Sequence, residues 1–266
     1  MKKRLFALLA ILLLAATLLS ACSKSANDSS LDRVKQAGKL TVALEATYPP
    51  MESMDKDGKT VVGFDVDFAK ALAEKLGVQA EFKTMDFDGL IPGLQAKRFD
   101  VIISFMNPDD TRRKQVDFIE YLKMGQVFVS RKGVNVKTEK DLAGKTVAVQ
   151  AETTSQSYVE DLKAKKIKDI KEIRSFKMAT DAFLELKNNR ADVVIIDEPV
   201  GRYYAALDPA TYAVTGQAIS PQPVGIAVNK EDKALYAALE KALKDMKSDG
   251  TFGKISVQWF GNDVSK

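Results

Sequence analysis

Short apolar runs alternate with amphipathic helical patterns along most of the chain, and that alternation leaves few folds open to it. Leu40 to Leu44 reads as a compact strand. Phe64 to Leu76 sets Phe64, Phe68, Ala71, Leu72 and Leu76 at helical spacing and stops at Gly77. Ala80 to Thr84 follows as a strand, Leu90 to Ala96 as a short helix and Val101 to Ser104 as an apolar strand. The middle repeats the theme with strands at Lys145–Val149 and Val193–Ile196 and helices at Ser155–Ala164 and Ala179–Asn188. Asp232 to Lys247 and Thr251 to Trp259 read as helices separated at Gly250. Apolar strands bounded by helices predict the α/β class, with a mostly parallel sheet covered on both faces.

Two stretches are alike. Leu94-x-x-x-Arg98-x-Asp100-Val101-Ile102-Ile103 matches Leu186-x-x-x-Arg190-x-Asp192-Val193-Val194-Ile195 at an offset of 92 residues. Duplication of a lobe and convergence of any α/β unit explain this equally well, and either suggests two similar lobes. The extended runs Gln126–Arg131 and Pro221–Val228 read as two crossings between them. That places 38–130 with 220–266 in one lobe and 131–219 in the other. In open parallel sheets the carboxyl ends of strands face the ligand crevice. Those ends are Ser104-Phe105 in one unit and Asp197 in the other.

The amino terminus has a different character. Lys2, Lys3 and Arg4 precede 15 uncharged residues, Leu5 to Leu19. That is shorter than the roughly 20 apolar residues of a membrane-crossing helix and fits a signal-peptide core over residues 1–21. Leu19-Ser20-Ala21-Cys22 resembles a lipobox, so Cys22, the only cysteine, is expected to carry a lipid that anchors the chain outside the cytoplasm. Residues 22–37 are expected to form a flexible tether. Removing residues 1–21 leaves 37 Lys+Arg against 36 Asp+Glu, a net charge of +1, so no nucleic-acid partner is implied. The chain has no histidine, which excludes Ser-His-Asp chemistry and histidine metal sites. No metal or cofactor is expected.

A series of motifs then acquires meaning from its order. Glu45-Ala46-Thr47-Tyr48-Pro49-Pro50 is followed by Val62-Gly63-Phe64-Asp65-Val66-Asp67, Leu90-Ile91-Pro92-Gly93-Leu94 and Arg98-Phe99-Asp100. Lys114-Gln115-Val116-Asp117-Phe118, Val149-Gln150-Ala151-Glu152-Thr153-Thr154-Ser155 and Gly250-Thr251-Phe252 complete the set. Over residues of about 38 to 262 the chain resembles the polar amino-acid substrate-binding proteins of ABC importers, extracellular solute-binding family 3. The resemblance implies a two-lobed, type II periplasmic-binding-protein-like fold, a free amino acid as ligand, a membrane permease as partner and a monomer.

It also implies roles for particular residues. Arg112 matches the arginine that grips the ligand α-carboxylate, a task suited to a planar fork; by itself it reads as a solvated arginine beside Arg113 and Lys114. Asp197 matches the residue that binds the ammonium. Glu45 matches a position that contacts the ligand side chain or amino group. Thr154 and Ser155 open a helix and offer backbone N–H groups and hydroxyls to the carboxylate, or simply cap it. Tyr48, Phe87 and Phe105 are candidates for an aromatic wall, with core packing as their plain alternative. Where many relatives carry small hydroxyl residues after Ser104, this chain has Phe105-Met106-Asn107, and Asn107 is placed to replace a lost hydroxyl. Glu45 and Asp197 against Arg112 leave a charge of −1, which a basic ligand, arginine or lysine, cancels; glutamine comes next.

Other motifs lead nowhere. Asp55-Lys56-Asp57-Gly58 is too short for a calcium loop and reads as a β-turn. Gly144-Lys145-Thr146 lacks the upstream glycine of a phosphate loop, because position 139 is Glu. Two rival functions remain: a prephenate or arogenate dehydratase on the same scaffold, with Glu152 as its general acid, and a structural or adhesion lipoprotein that binds nothing.

Overall fold

The structure is a computed structural model and describes residues 30–264. The signal segment and Cys22 lie outside the described residues. In chain order the elements are α1 (Ser30–Ala37), β1 (Lys39–Leu44), β2 (Thr47–Tyr48), β3 (Glu52–Met54), β4 (Val61–Val62), α2 (Phe64–Lys75), β5 (Gln79–Thr84), α3 (Leu90–Gln95), β6 (Val101–Ile102), α4 (Asp110–Gln115) and β7 (Asp117–Arg131). They continue with β8 (Thr146–Gln150), α5 (Thr154–Lys165), β9 (Glu172–Phe176), α6 (Ala179–Lys187), β10 (Val193–Asp197), α7 (Glu198–Leu207), β11 (Tyr212–Val228), α8 (Lys233–Ser248) and α9 (Thr251–Phe260). Among the described residues no helix is long and apolar enough to cross a membrane.

Two half-sheets share the long strands β7 and β11. In one, β5, β1 and β6 run parallel and β11 pairs antiparallel to β6, giving the order β5-β1-β6-β11-β7. In the other, β9, β8 and β10 run parallel and β7 pairs antiparallel to β10. The second order, β9-β8-β10-β7, repeats the first with the long strands exchanging roles. Both long strands therefore pass from lobe to lobe. β7 pairs residues 117–120 with β11 in the first lobe, then 126–130 with β10 in the second. The first-lobe segment expected to run to residue 130 thus hands over to the second sheet before Gln126. Pairing between β7 and β11 slips its register between Thr215 and Ile219, and again between Ile219 and Gln222.

The sequence repeat has a mechanical meaning. In each unit an aspartate clamps the start of the neighbouring parallel strand. Asp100 Oδ2 accepts from the Thr41 N–H at 2.8 Å, and Asp192 Oδ2 accepts from the Thr146 N–H at 2.8 Å. Each aspartate N–H also returns a bond to the same threonine's carbonyl, at 3.0 and 2.9 Å. The clamp fixes strand register at the end of the sheet remote from the cleft.

Packing accounts for the principal helices. α2 buries Phe64, Phe68, Ala69, Leu72 and Ala73 on one face, and Phe64 and Phe68 meet Phe252 of α9 edge-on. Asp65 and Asp67 stand in its first turn, where carboxylates suit the positive end of the helix dipole. α1 corrects one expectation. Ser30–Ala37 is a helix rather than the end of a tether, because Val34 buries completely and the Ser30 hydroxyl accepts from the Leu235 N–H of α8 at 3.2 Å. Asp55–Gly58 is the β-turn expected, closed by Gly58 N–H to Asp55 O at 2.9 Å.

Candidate functional site: a cleft between the lobes

Four strands deliver side chains to one place. Glu45 follows β1, Ser104 and Phe105 follow β6, Gln150 ends β8 and Asp197 ends β10. Chain leaving the carboxyl edge of a parallel sheet turns over the crevice, so these residues meet there. Tyr48 on β2, Glu52 on β3, Phe87, Asn107 and Arg112 add to the wall of the first lobe, and Thr153 and Thr154 to that of the second. Nine of the ten expected ligand-site residues line this cavity: Glu45, Tyr48, Phe87, Ser104, Phe105, Asn107, Arg112, Thr154 and Asp197. Ser155 is buried in α5 and does not line it.

Local capping aims two of these elements. Asp109 caps α4 by accepting the Arg112 N–H at 2.8 Å, which fixes Arg112 in the first turn. Thr153, rather than Thr154 or Ser155, caps α5 by accepting the Gln156 N–H at 3.3 Å. The Thr154 hydroxyl is therefore free to face the cleft.

Among the described residues, four hydrogen bonds cross the cleft between the lobes. The Tyr48 hydroxyl donates to Asp197 Oδ2 at 2.7 Å, and Arg112 Nη2 donates to the Glu152 carbonyl at 2.6 Å. The Thr154 hydroxyl donates to Asn107 Oδ1 at 3.0 Å, and Gln150 Nε2 donates to Glu45 Oε2 at 3.3 Å. With these bonds made, the space left for the centre of a water-sized sphere is about 10 Å³. That is close to what a single water needs. The cleft is closed on itself, and any larger occupant has to part the lobes and displace these contacts.

Its charges are Arg112 and Glu45 on the first-lobe wall and Asp197 on the second. Arg112 is 8% exposed, donates through Nη1 to the Asn107 carbonyl at 2.7 Å and lies 5.4 Å above the centre of the Phe87 ring. Burial works against its charge, while Asp109, Asp197 and Glu152 support it. Asp197 is 7% exposed, and desolvation raises its pKa to about 6 against the lowering effects of Tyr48 and Arg112. Burial also raises the pKa of Glu45, whose partners are the Thr47 hydroxyl and the Gln150 amide, both neutral. An ion with a dry environment and neutral partners is a strong attractor for a counter-charge.

Three lining residues escaped the sequence reading. Gln150 ends a parallel strand as Asp197 does, and the same rule applied to β8 finds it. Thr153 is legible as a helix cap. Glu52 carried no signal, since its strand is three residues long and lacks any period.

The family model for bacterial extracellular solute-binding proteins, family 3, matches residues 40–262. The chain belongs to that family. The resemblance drawn from its ordered motifs therefore holds, as does the two-lobed α/β class. The L-cystine-binding protein TcyJ of Escherichia coli strain K12 is 34% identical over 244 residues, which span 91% of this chain and 90% of that protein. The ABC transporter arginine-binding protein 1 of the same strain is 37% identical over 229 residues, 84% of this chain and 91% of its own. An ancestral arginine-binding protein solved with bound arginine superposes with a TM-score of 0.80 at 43% identity, covering 84% of this chain and 99% of its own. All three are similar to this family 3 chain over both lobes.

Proposed function

We propose that the cleft captures a free amino acid with a cationic side chain, arginine or lysine, with glutamine next, for delivery to an ABC-type permease. Arg112 receives the α-carboxylate through its planar fork, taking the ligand in place of the Glu152 carbonyl. Asp197 receives the ammonium in place of the Tyr48 hydroxyl. Asn107 and Thr154 supply amide and hydroxyl partners, Ser104 supports the floor, and Phe87, Phe105 and Tyr48 form apolar walls. Each lobe thus exchanges a contact with its neighbour for a contact with the ligand.

The observation that carries the choice of ligand is the isolation of Glu45. It is 4% exposed and its hydrogen-bond partners are neutral, so Glu45 and Asp197 against Arg112 leave one uncancelled negative charge. A zwitterion alone preserves that deficit, whereas a guanidinium or ammonium side chain removes it. Motion comes from β7 and β11, whose pairing is irregular where they cross, so the lobes turn about these strands and a ligand touching both favours closure. We further assign Cys22 as the lipid attachment site of a monomeric, extracytoplasmic lipoprotein.

The dehydratase alternative requires Glu152 to act as an acid inside the cleft. Its side chain is exposed, and only its backbone carbonyl meets Arg112. Titration calorimetry with the twenty amino acids is the test. Arginine and lysine are expected to bind most tightly; acidic or bulky apolar ligands binding best would defeat the charge argument, and heat from none would favour a structural lipoprotein.

A further inference from the structure

Beneath the ligand cleft, two carboxyl groups meet in the interior of the first lobe. Glu52 on β3 is 1% exposed and Asp65, in the first turn of α2, is completely buried. The titratable groups acting on them are acidic or phenolic: Glu45 beyond β1, Tyr48 on β2 and Tyr121 on β7, with Asp197 of β10 facing the two tyrosines. Among the described residues, the groups that dominate their titration include no lysine or arginine. Two neighbouring carboxylates in such a place cannot both ionise.

Their hydrogen bonds identify the one that keeps its proton. Asp65 is arranged as an anion, with Oδ1 accepting from the Tyr121 hydroxyl at 2.8 Å and Oδ2 from the Phe105 N–H at 2.7 Å. Glu52 Oε1 accepts from the Ser104 hydroxyl at 2.9 Å, but no donor reaches its Oε2. A hydrogen on Oε2 completes the set, because the two side chains lie within hydrogen-bond reach of each other. Burial first, and Asp65 second, push the Glu52 pKa well above the carboxylate range, while that of Asp65 rises only to about 6.

We propose that Glu52 is a positioning residue of the ligand site and works as a neutral carboxylic acid, donating from Oε2 to Asp65 while Oε1 holds the Ser104 hydroxyl. The Ser104 oxygen in turn accepts the Glu45 N–H at 3.0 Å. A continuous chain therefore runs from Tyr121 on the crossing strand through Asp65, Glu52 and Ser104 to the backbone of Glu45. A branch from Asp65 secures Phe105, whose φ of +43° is unusual for a residue with a side chain. The proton on Glu52 keeps both branches attractive. Its loss would set two anions side by side and release the turns that carry Glu45 and Phe105 into the cleft. Only the binding part of the test rests on the amino-acid reading of the cleft.

Infrared spectroscopy of the unliganded protein at neutral pH tests the protonation directly. The wild type is expected to show the carbonyl stretch of a buried carboxylic acid, and Glu52→Gln to lack it; an undiminished band in that variant overturns the proposal. Calorimetry with L-arginine tests the positioning. Glu52→Ala strands the Ser104 hydroxyl and is expected to weaken binding about tenfold or more. Glu52→Gln keeps an acceptor for Ser104 and a donor for Asp65, and is expected to recover most of that loss. Equal weakening by Gln and Ala overturns the proposal. Should the wild type not bind L-arginine, the ligand assignment fails while the infrared comparison still decides the state of Glu52; should the Ala variant not fold, the Gln variant carries both arms.

Discussion

Replacing Arg112 with alanine probes the cleft at its most exposed assumption. The guanidinium is nearly buried and donates to two backbone carbonyls, one from each lobe, over the face of Phe87. Those carbonyls are neutral, and Nε lies 3.4 Å from the partly exposed Asp109 carboxylate, which leaves Nη1 and Nη2 to turn to a ligand. Once an amino acid enters, its carboxylate becomes the counter-ion, and the variant leaves that carboxylate buried and unpaired. Breaking a buried pair in this way costs roughly 3–5 kcal/mol, or about two to four decades in affinity. Arg112→Lys keeps a positive charge but loses the fork, so an intermediate loss is expected. Calorimetry with L-arginine reads the affinities, and thermal unfolding without ligand is expected to shift little, because only one of the four cross-lobe bonds is removed. Affinity of the alanine variant within about threefold of wild type would refute the reasoning and remove Arg112 from the site.

Four further outcomes follow from the geometry. Asp197 must be ionised to receive an ammonium, and with its pKa at about 6 binding of L-arginine is expected to weaken about tenfold on acidification from pH 7.5 to 5, a dependence that Asp197→Asn should flatten. The same raised pKa acts oppositely on the unliganded fold: its contribution is full below the unfolded value near 4 and is lost as pH rises through about 6, which urea unfolding across that window would detect. Glu45→Gln removes the uncancelled charge and is expected to turn preference from arginine toward glutamine in competition binding; an unchanged arginine preference would contradict the charge count. Gly63→Ala is expected to cost about 1–3 kcal/mol in denaturant unfolding, because at φ +143° its Cβ would lie 2.1 Å from the Met51 carbonyl oxygen.

What the sequence revealed depended on periodicity and on strand ends. Val193 to Ile196 had to be interior strand because nothing polar interrupts it, and the acid that terminates it had to reach the crevice. Tyr48 was legible as an aromatic wall, but its hydroxyl bond to Asp197 depends on contact between residues 149 positions apart. Glu52 was invisible for a related reason: β2, β3 and β4 are two or three residues long, too short to show alternation. Helix α1 escaped because its stability lies in Val34 and in a partner helix more than two hundred residues away. Pro221 and Pro223 fall in a run that reads as an extended crossing, and they sit within β11 beside its register slips. Prolines tolerated at an irregular pairing are consistent with a strand that must also bend.

A crystal structure of the protein with L-arginine would test the central claim most directly. The α-carboxylate should lie against the Arg112 guanidinium, the ammonium against Asp197 with Tyr48 displaced, and the side-chain guanidinium toward Glu45. Arginine bound outside this cleft, or with its carboxylate turned away from Arg112, would contradict the account.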